Sequence, residues 1–74
     1  MPPLPEGCFL NKLDSKAING QKVWYSDDRT RMYIWDHTHN DVEVFNAHGR
    51  HLGSARPLTG ETYKPAVKGR RLYV

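Results

Sequence analysis

The ionisable side chains of this chain are densest between positions 36 and 43, where Asp36, His37, His39, Asp41 and Glu43 flank a predicted hairpin turn. Side chains alternate between the two faces of a strand, so pairing of Asp36 with Asp41 would put three carboxylates, including Glu43, on one face. Neighbouring carboxylates raise one another's pKa and a nearby histidine lowers it, which separates acid from base. The cluster favours acid/base catalysis; the alternative is a polar turn exposed to solvent.

A metal site is a second interpretation of the same region. The sequence offers His37-x-His39 and His48-x-x-His51, whose spacing matches no common zinc pattern. Histidine pairs in small domains are more often structural or exposed than metal-ligating. We therefore predict no metal and no cofactor. Cys8 is the single cysteine, so it forms no internal disulfide and is expected to be a small buried apolar residue.

Short runs of β-branched and aromatic residues, separated by polar turns, predict the scaffold for this cluster. The predicted strands are Lys22–Ser26, Arg31–Asp36, Asp41–Phe45 and His51–Ala55. Because the turns between them are short, neighbouring strands are expected to pair antiparallel. The predicted class is mainly β, at the margin of α+β: one strongly twisted antiparallel sheet with a short N-terminal helix.

The remaining segments are predicted from helix and turn signals. The apolar spacing across Phe9–Ile18 indicates the short helix, with Asn19-Gly20 as its stop. Residues 56–69 contain two prolines and two glycines and are predicted to be a loop, and residues 71–74 could add an edge strand. With 74 residues the chain forms a single domain over 1–74, and the proline-rich residues 1–8 are expected to be a flexible tail.

Charge is unevenly divided along the chain. Residues 1–43 hold five Lys/Arg against seven Asp/Glu, whereas residues 44–74 hold six against one. A basic segment of this kind is expected where the partner is rich in phosphate, and the alternative is a solvated basic surface. No apolar run is long enough to span a bilayer, and the N-terminus lacks the features of a signal peptide. Export would then require a larger chain of which this domain is a part.

Three motifs carry a family resemblance. They are the W-D-x-x-H-x-x-x-E pattern from Trp35 to Glu43, the run Gly49-Arg50-His51-Leu52-Gly53-Ser54, and Pro57-Leu58-Thr59-Gly60. Over about forty residues the sequence resembles the cytotoxic ribonuclease domain of the ribosome-inactivating colicins and cloacin, which also occurs as toxin tails in contact-dependent inhibition systems. It departs from that family in lacking a lysine-rich run before Tyr33 and one residue between Phe45 and Gly49.

The resemblance implies an active site of Asp36, His39 and Glu43 with His51 close by. A basic residue near the C-terminus is also implied, for which Lys68 and Arg70 are candidates. In metal-independent RNA cleavage the 2′-hydroxyl is the nucleophile, so Glu43 is expected to be the base and His39 the acid, with Asp36 orienting the imidazole. Lys64, Lys68, Arg70 and Arg71 are the predicted RNA-binding side chains.

The implied substrate is small-subunit ribosomal RNA in the ribosome, reached in the cytoplasm of a target bacterium. The domain would arrive there as the C-terminal part of a larger secreted or surface toxin. The implied partner is an acidic cognate immunity protein, and the domain would otherwise be a monomer without a membrane segment. The competing hypothesis is a non-catalytic basic β-domain that binds RNA or an acidic protein.

Overall fold

Six antiparallel strands in chain order make up the described part of the chain. The computed structural model describes residues 4–72. Its elements are the 3-10 turn Phe9–Lys12 and the strands β1 (Asp14–Ile18), β2 (Gln21–Tyr25), β3 (Arg31–Asp36), β4 (Asp41–Asn46), β5 (His51–Ala55) and β6 (Thr62–Pro65). The prediction of a mainly β fold with antiparallel neighbours is confirmed.

Four of the strands lie where the sequence predicts them. The bounds of β3 and β5 agree residue for residue, β2 begins and ends one residue earlier than expected, and β4 is one residue longer. Of the predicted edge strand at 71–74, Arg71 forms an isolated antiparallel bridge with Arg50. Residues 73–74 lie outside the described residues.

The predicted helix at Phe9–Ile18 is wrong beyond Lys12. Residues 14–18 form β1, which pairs with β2 through the two-residue turn Asn19-Gly20. Both turn residues have left-handed backbone angles, with φ of 51° at Asn19 and 79° at Gly20. Asn-Gly is the residue pair that a tight hairpin of this type favours, because its backbone twist matches that of the strands. The signal interpreted as a helix stop is a hairpin turn.

The loop predicted at 56–69 is also wrong in part, because Thr62–Pro65 forms β6 against β5. All four residues of β6 are exposed, so the strand shows no alternation of apolar and polar side chains from which it could be predicted. The turn that leads into it is closed by backbone hydrogen bonds between Arg56 and both Gly60 and Glu61.

One face of the sheet, called the packed face, is covered by the N-terminal segment. This face carries Trp24, Tyr33, Trp35, Val42 and Val44. Leu10 and Cys8 are buried against it, as expected for Cys8, and Leu4 packs on the same cluster. Phe9 meets Tyr33 edge to face, with 5.2 Å between the ring centroids. The tail predicted at 1–8 stays a prediction for residues 1–3, which lie outside the described residues.

Trp35 tests this assignment of faces, because it lies on the opposite face from its neighbour Asp36. Its indole is half-buried in the cluster of the packed face, and Nε1 has no hydrogen-bond partner among residues 4–72. Trp35→Ala is expected to cost about 3 kcal/mol of unfolding free energy, since a large aromatic contact is lost. The matched variant Trp35→Phe removes no hydrogen bond and should cost less than half as much. Urea unfolding measures both, and equal small losses would contradict the assignment.

The opposite face, called the groove face, is divided into an apolar and an ionisable half. At one end Val23, Met32 and Phe45 pack with Leu72 from the C-terminal segment. Towards the other end the face carries Glu43, Asp41 and Asp36. A groove of about 660 Å³ runs over this face between the β1–β2 turn at residues 19–22 and the C-terminal residues 70–72. The fold therefore leaves the ionisable half of this face open to a ligand.

Candidate active site

Asp36 and His39 form an oriented pair at the β3–β4 turn. Asp36 ends β3, and its Oδ1 accepts the backbone N–H groups of Thr38 at 3.0 Å and His39 at 3.3 Å. Its Oδ2 lies 2.8 Å from His39 Nδ1. Partial burial acts to raise the pKa of Asp36, but the hydrogen bonds from His39 and Thr38 outweigh it and lower that pKa. The carboxylate is held ionised, and the imidazole, 66% exposed, presents Nε2 to a ligand.

Glu43 is a groove carboxylate whose hydrogen-bond partners come from β5 and from the C-terminal segment. It lies on β4, opposite Ile34 of β3 and Ser54 of β5. Its Oε2 lies 2.5 Å from His51 Nε2 and accepts the Ser54 hydroxyl at 3.1 Å, while Oε1 accepts Arg70 Nη1 at 3.1 Å. These contacts fix the rotamer of Glu43 and leave free acceptor capacity on Oε1.

His51 is a buried hydrogen-bond partner of Glu43. Its side chain is completely buried, and the backbone N–H of Val67 donates to Nδ1 at 2.9 Å. With Nδ1 acting as acceptor, Nε2 carries the hydrogen that is donated to Glu43. The placement depends on an irregularity between Val44 and Phe45: Val44 pairs with Gly53, yet Phe45 pairs with His51 rather than with Leu52. This bulge brings His51 onto the groove face.

Asp36 and Glu43 share one face of the sheet. Asp36 is directly opposite Asp41, which precedes Glu43 by two residues on β4. The two carboxylates are therefore offset by about 7 Å along the strand direction, which leaves room for a phosphodiester. Asp36, Glu43 and Arg70 line the groove, as does His37, whereas His39 is anchored to Asp36.

Asp41 lies on the groove face as predicted, but the sequence did not predict that Tyr63 and Lys64 would bind it. It is 3% exposed and accepts hydrogen bonds from the Tyr63 hydroxyl and from Lys64 Nζ, the latter at 2.5 Å. Burial acts to raise the pKa of Asp41, and the bonds from Lys64 and Tyr63 more than compensate, so that pKa is lowered. Lys64, a predicted RNA-binding residue, thus binds Asp41 and joins β6 to the first residue of β4.

Folding stability should depend on pH through Asp41. Because its folded pKa lies below the ordinary 3.8, its contribution is complete above that pH and is lost as the pH falls through the lower value. Between about pH 4 and pH 2, Asp41→Asn should therefore lose less unfolding free energy than the wild type. Urea unfolding over this range is the measurement, with the exposed Asp27→Asn as control. Equal losses in the wild type and Asp41→Asn would contradict the role of this carboxylate.

The other predicted RNA-binding residues are Lys68, Arg70 and Arg71, and all three line a second cavity. Arg70 also donates a hydrogen bond to Glu43. Ser54 was not predicted as a site residue, although it belongs to the Gly49–Ser54 run.

Within residues 4–72 no three His, Cys, Asp or Glu side chains cluster closely enough to hold a metal ion. Over the same residues no helix is long and apolar enough to cross a membrane.

Comparison of the sequence with known proteins shows the family of the chain. The sequence model of a family described as Cytotoxic matches residues 11–73, so the chain belongs to that family and is a bacterial toxin domain. Among curated proteins it is similar to colicin E6 of Escherichia coli, 43% identical over 42 residues, and to cloacin of the same organism, 40% identical over 42. Colicin E3 of Escherichia coli is 40% identical over 45 residues. These matches cover 55% to 60% of this chain and 8% of each relative.

Proposed function

We propose that this domain is an endoribonuclease that cleaves small-subunit ribosomal RNA by metal-independent acid/base transphosphorylation and so halts translation. The observation that carries the proposal is the placement of Glu43, with Arg70 on one carboxylate oxygen, on the same face as the oriented Asp36–His39 pair. The base Glu43 and the positive charge of Arg70 line the groove, and the acid His39 is held beside it by Asp36, which lines the groove as well. These are the groups that RNA cleavage without a metal requires.

The reaction assigns one step to each group. Glu43 takes the proton of the ribose 2′-hydroxyl at Oε1, and the 2′-oxygen attacks the adjacent phosphorus. The bond from phosphorus to the 5′-oxygen breaks, and His39 Nε2 donates a proton to that leaving oxygen. The guanidinium of Arg70 lies 3.1 Å from Oε1, the oxygen of Glu43 that takes the proton. Arg70 is therefore close to the reacting phosphate and stabilises the charge of the phosphorane. The products are a 2′,3′-cyclic phosphate and a 5′-hydroxyl.

His51 acts as a positioning residue in this mechanism. Its imidazole is completely buried, so it meets no substrate, and it reaches the reaction through Glu43 alone. Together with Ser54 it occupies Oε2, which directs the free acceptor of the carboxylate to Oε1. This arrangement separates the supporting oxygen from the reacting one.

The biological setting belongs to the same proposal. The domain is the C-terminal part of a larger secreted or surface toxin, and it acts in the cytoplasm of the target bacterium. An acidic immunity protein holds it inactive in the producing cell, and the basic half of the chain supplies the complementary charge. Apart from that complex it is a monomer over the single domain 1–74.

Incubation with intact ribosomes in the presence of EDTA tests the function. A discrete small-subunit rRNA fragment that persists with the chelator is expected, because no group in the mechanism depends on a divalent ion. Cleavage abolished by EDTA would make the domain a metal-dependent nuclease. Tight ribosome binding without any cleavage would make it the non-catalytic basic module instead.

Arg70 and Lys68 should differ in the kinetic parameter they control. Arg70 contacts Glu43, whereas Lys68 lies in the second cavity. Arg70→Ala is expected to lower kcat by about 100-fold with a small change in KM, because charge at the phosphorane matters most in the transition state. Lys68→Ala should raise KM a few-fold at unchanged kcat. Steady-state kinetics on an oligoribonucleotide is the measurement. If both variants changed kcat and KM to the same extent, Arg70 would have no catalytic role.

A further inference from the structure

A second cavity lies behind Arg70, on the side away from the groove. It measures about 310 Å³, and Arg70 and Arg71 line both it and the groove. The other cationic side chains around it are Arg50 and Lys68. No carboxylate is among its lining residues in the described part of the chain. The cavity therefore concentrates positive charge where an anion would be drawn in.

Two of these arginines are forced together by the backbone. Arg50 and Arg71 are partners in an antiparallel bridge, flanked by hydrogen bonds from the His51 N–H to the Arg70 carbonyl and from the Leu72 N–H to the Gly49 carbonyl. This pattern defines the non-hydrogen-bonded pair, in which Cα atoms lie about 4.5 Å apart and side chains are closest. Like charges directly opposite each other destabilise such a pair.

In the part of the chain that the structure describes, no carboxylate relieves this repulsion. Among residues 4–72, the acidic side chains within 4.0 Å of a cationic group pair with Arg29, His39, His51, Lys64 or Arg70, and none pairs with Arg50, Lys68 or Arg71. An anion in the cavity would offset the repulsion and could accept from two guanidinium groups at once.

The cavity is also rigidly built. Gly49 has a φ of 85°, and a Cβ atom there would lie 2.1 Å from the Leu72 carbonyl oxygen, so only glycine permits this close approach. The loop that completes the cavity is joined to the active site, because Val67 donates its N–H to His51. The backbone that carries the four cationic residues is therefore held in place relative to Glu43.

We propose that the cavity lined by Arg50, Lys68 and Arg71 is a second phosphate subsite, which binds an RNA phosphodiester neighbouring the scissile one. The inference rests on the proposed function for the identity of its ligand, RNA. Arg70 separates the two positions: one side faces Glu43 and the groove, and the other faces the cavity. A strand passing over Arg70 would then present successive phosphates to the groove and to the subsite.

NMR titration of the intact domain with inorganic phosphate, at constant ionic strength, tests the subsite without any need for catalysis. Saturable shifts are expected at the amides of residues 68–71 and at Arg50. Arg50→Gln should weaken this binding about fivefold or more, because a bidentate charged contact is lost. Arg56→Gln is the matched control, since Arg56 follows the opposite end of β5 and contacts Tyr63.

The RNA arm uses a 2′-O-methylated oligoribonucleotide, which lacks the attacking hydroxyl. Its affinity should fall in Arg50→Gln, and the slope of log K against log salt should decrease by about 0.7, the value for one phosphate contact to a single strand. No saturable phosphate shifts at residues 68–71, or equal losses in Arg50→Gln and Arg56→Gln, would overturn the subsite. A protein that binds phosphate there but cleaves no RNA would retain the subsite and overturn the proposed function.

Discussion

Replacement of Glu43 by glutamine is expected to lower RNA cleavage by about 1,000-fold, since a positioned general base contributes on that order. Glutamine keeps the size of the side chain and an acceptor oxygen for His51 and Ser54, so the sheet should remain intact. What is lost is the ability to take a proton from the 2′-hydroxyl. Cleavage of an oligoribonucleotide is the measurement, with circular dichroism to verify the fold.

Glu61→Gln is the matched control for this change. Glu61 is exposed in the turn before β6 and is not one of the residues that line the groove. Its replacement should leave turnover within about twofold of wild type, as expected of a surface substitution away from the site. Activity of Glu43→Gln within a few-fold of wild type would remove Glu43 from the mechanism, and loss of the circular dichroism spectrum would make it a structural residue.

The second large effect is expected at His39, whose replacement by alanine should lower turnover by about 100-fold or more through loss of the general acid. Asp36 orients this ring at 2.8 Å, and truncation of a side chain that is 66% exposed leaves no cavity in the protein. The fold should therefore survive the change.

His37→Ala provides a control from the same turn, because His37 is a histidine two residues away and is also exposed to solvent. It should retain most of the activity, since it lacks the carboxylate partner that orients His39. A larger loss in His37→Ala than in His39→Ala would transfer the acid role to His37, which lines the groove.

The central strands and one face of the site follow from local sequence. The runs of β-branched and aromatic residues between polar turns predict β3 and β5 residue for residue, and the alternation of side chains puts Asp36, Asp41 and Glu43 on one face. The errors arise where local signals are ambiguous. Asn19-Gly20 is consistent with both a helix end and a hairpin, and the exposed strand β6 carries no apolar pattern at all.

The convergence on Glu43 could not be predicted from local patterns. Arg70 is 27 residues away in sequence, and its approach depends on how the C-terminal segment crosses the start of β5. The approach of His51 depends on the bulge after Val44, which shifts the register by one residue. Such long-range packing is set by the whole fold, so the sequence leaves Lys68 and Arg70 as alternatives, and the proposal for Arg70 rests on its contact with Glu43.

The end chemistry of the RNA fragments tests the central proposal most directly. If Glu43 activates the 2′-hydroxyl and His39 protonates the leaving oxygen, one fragment should end in a 2′,3′-cyclic phosphate and the other should begin with a 5′-hydroxyl. Mass spectrometry of a short cleaved oligoribonucleotide, in the presence of EDTA, distinguishes these ends. Detection of a 5′-phosphate with a free 3′-hydroxyl would mean that water is the nucleophile, and would contradict the roles assigned to Glu43 and His39.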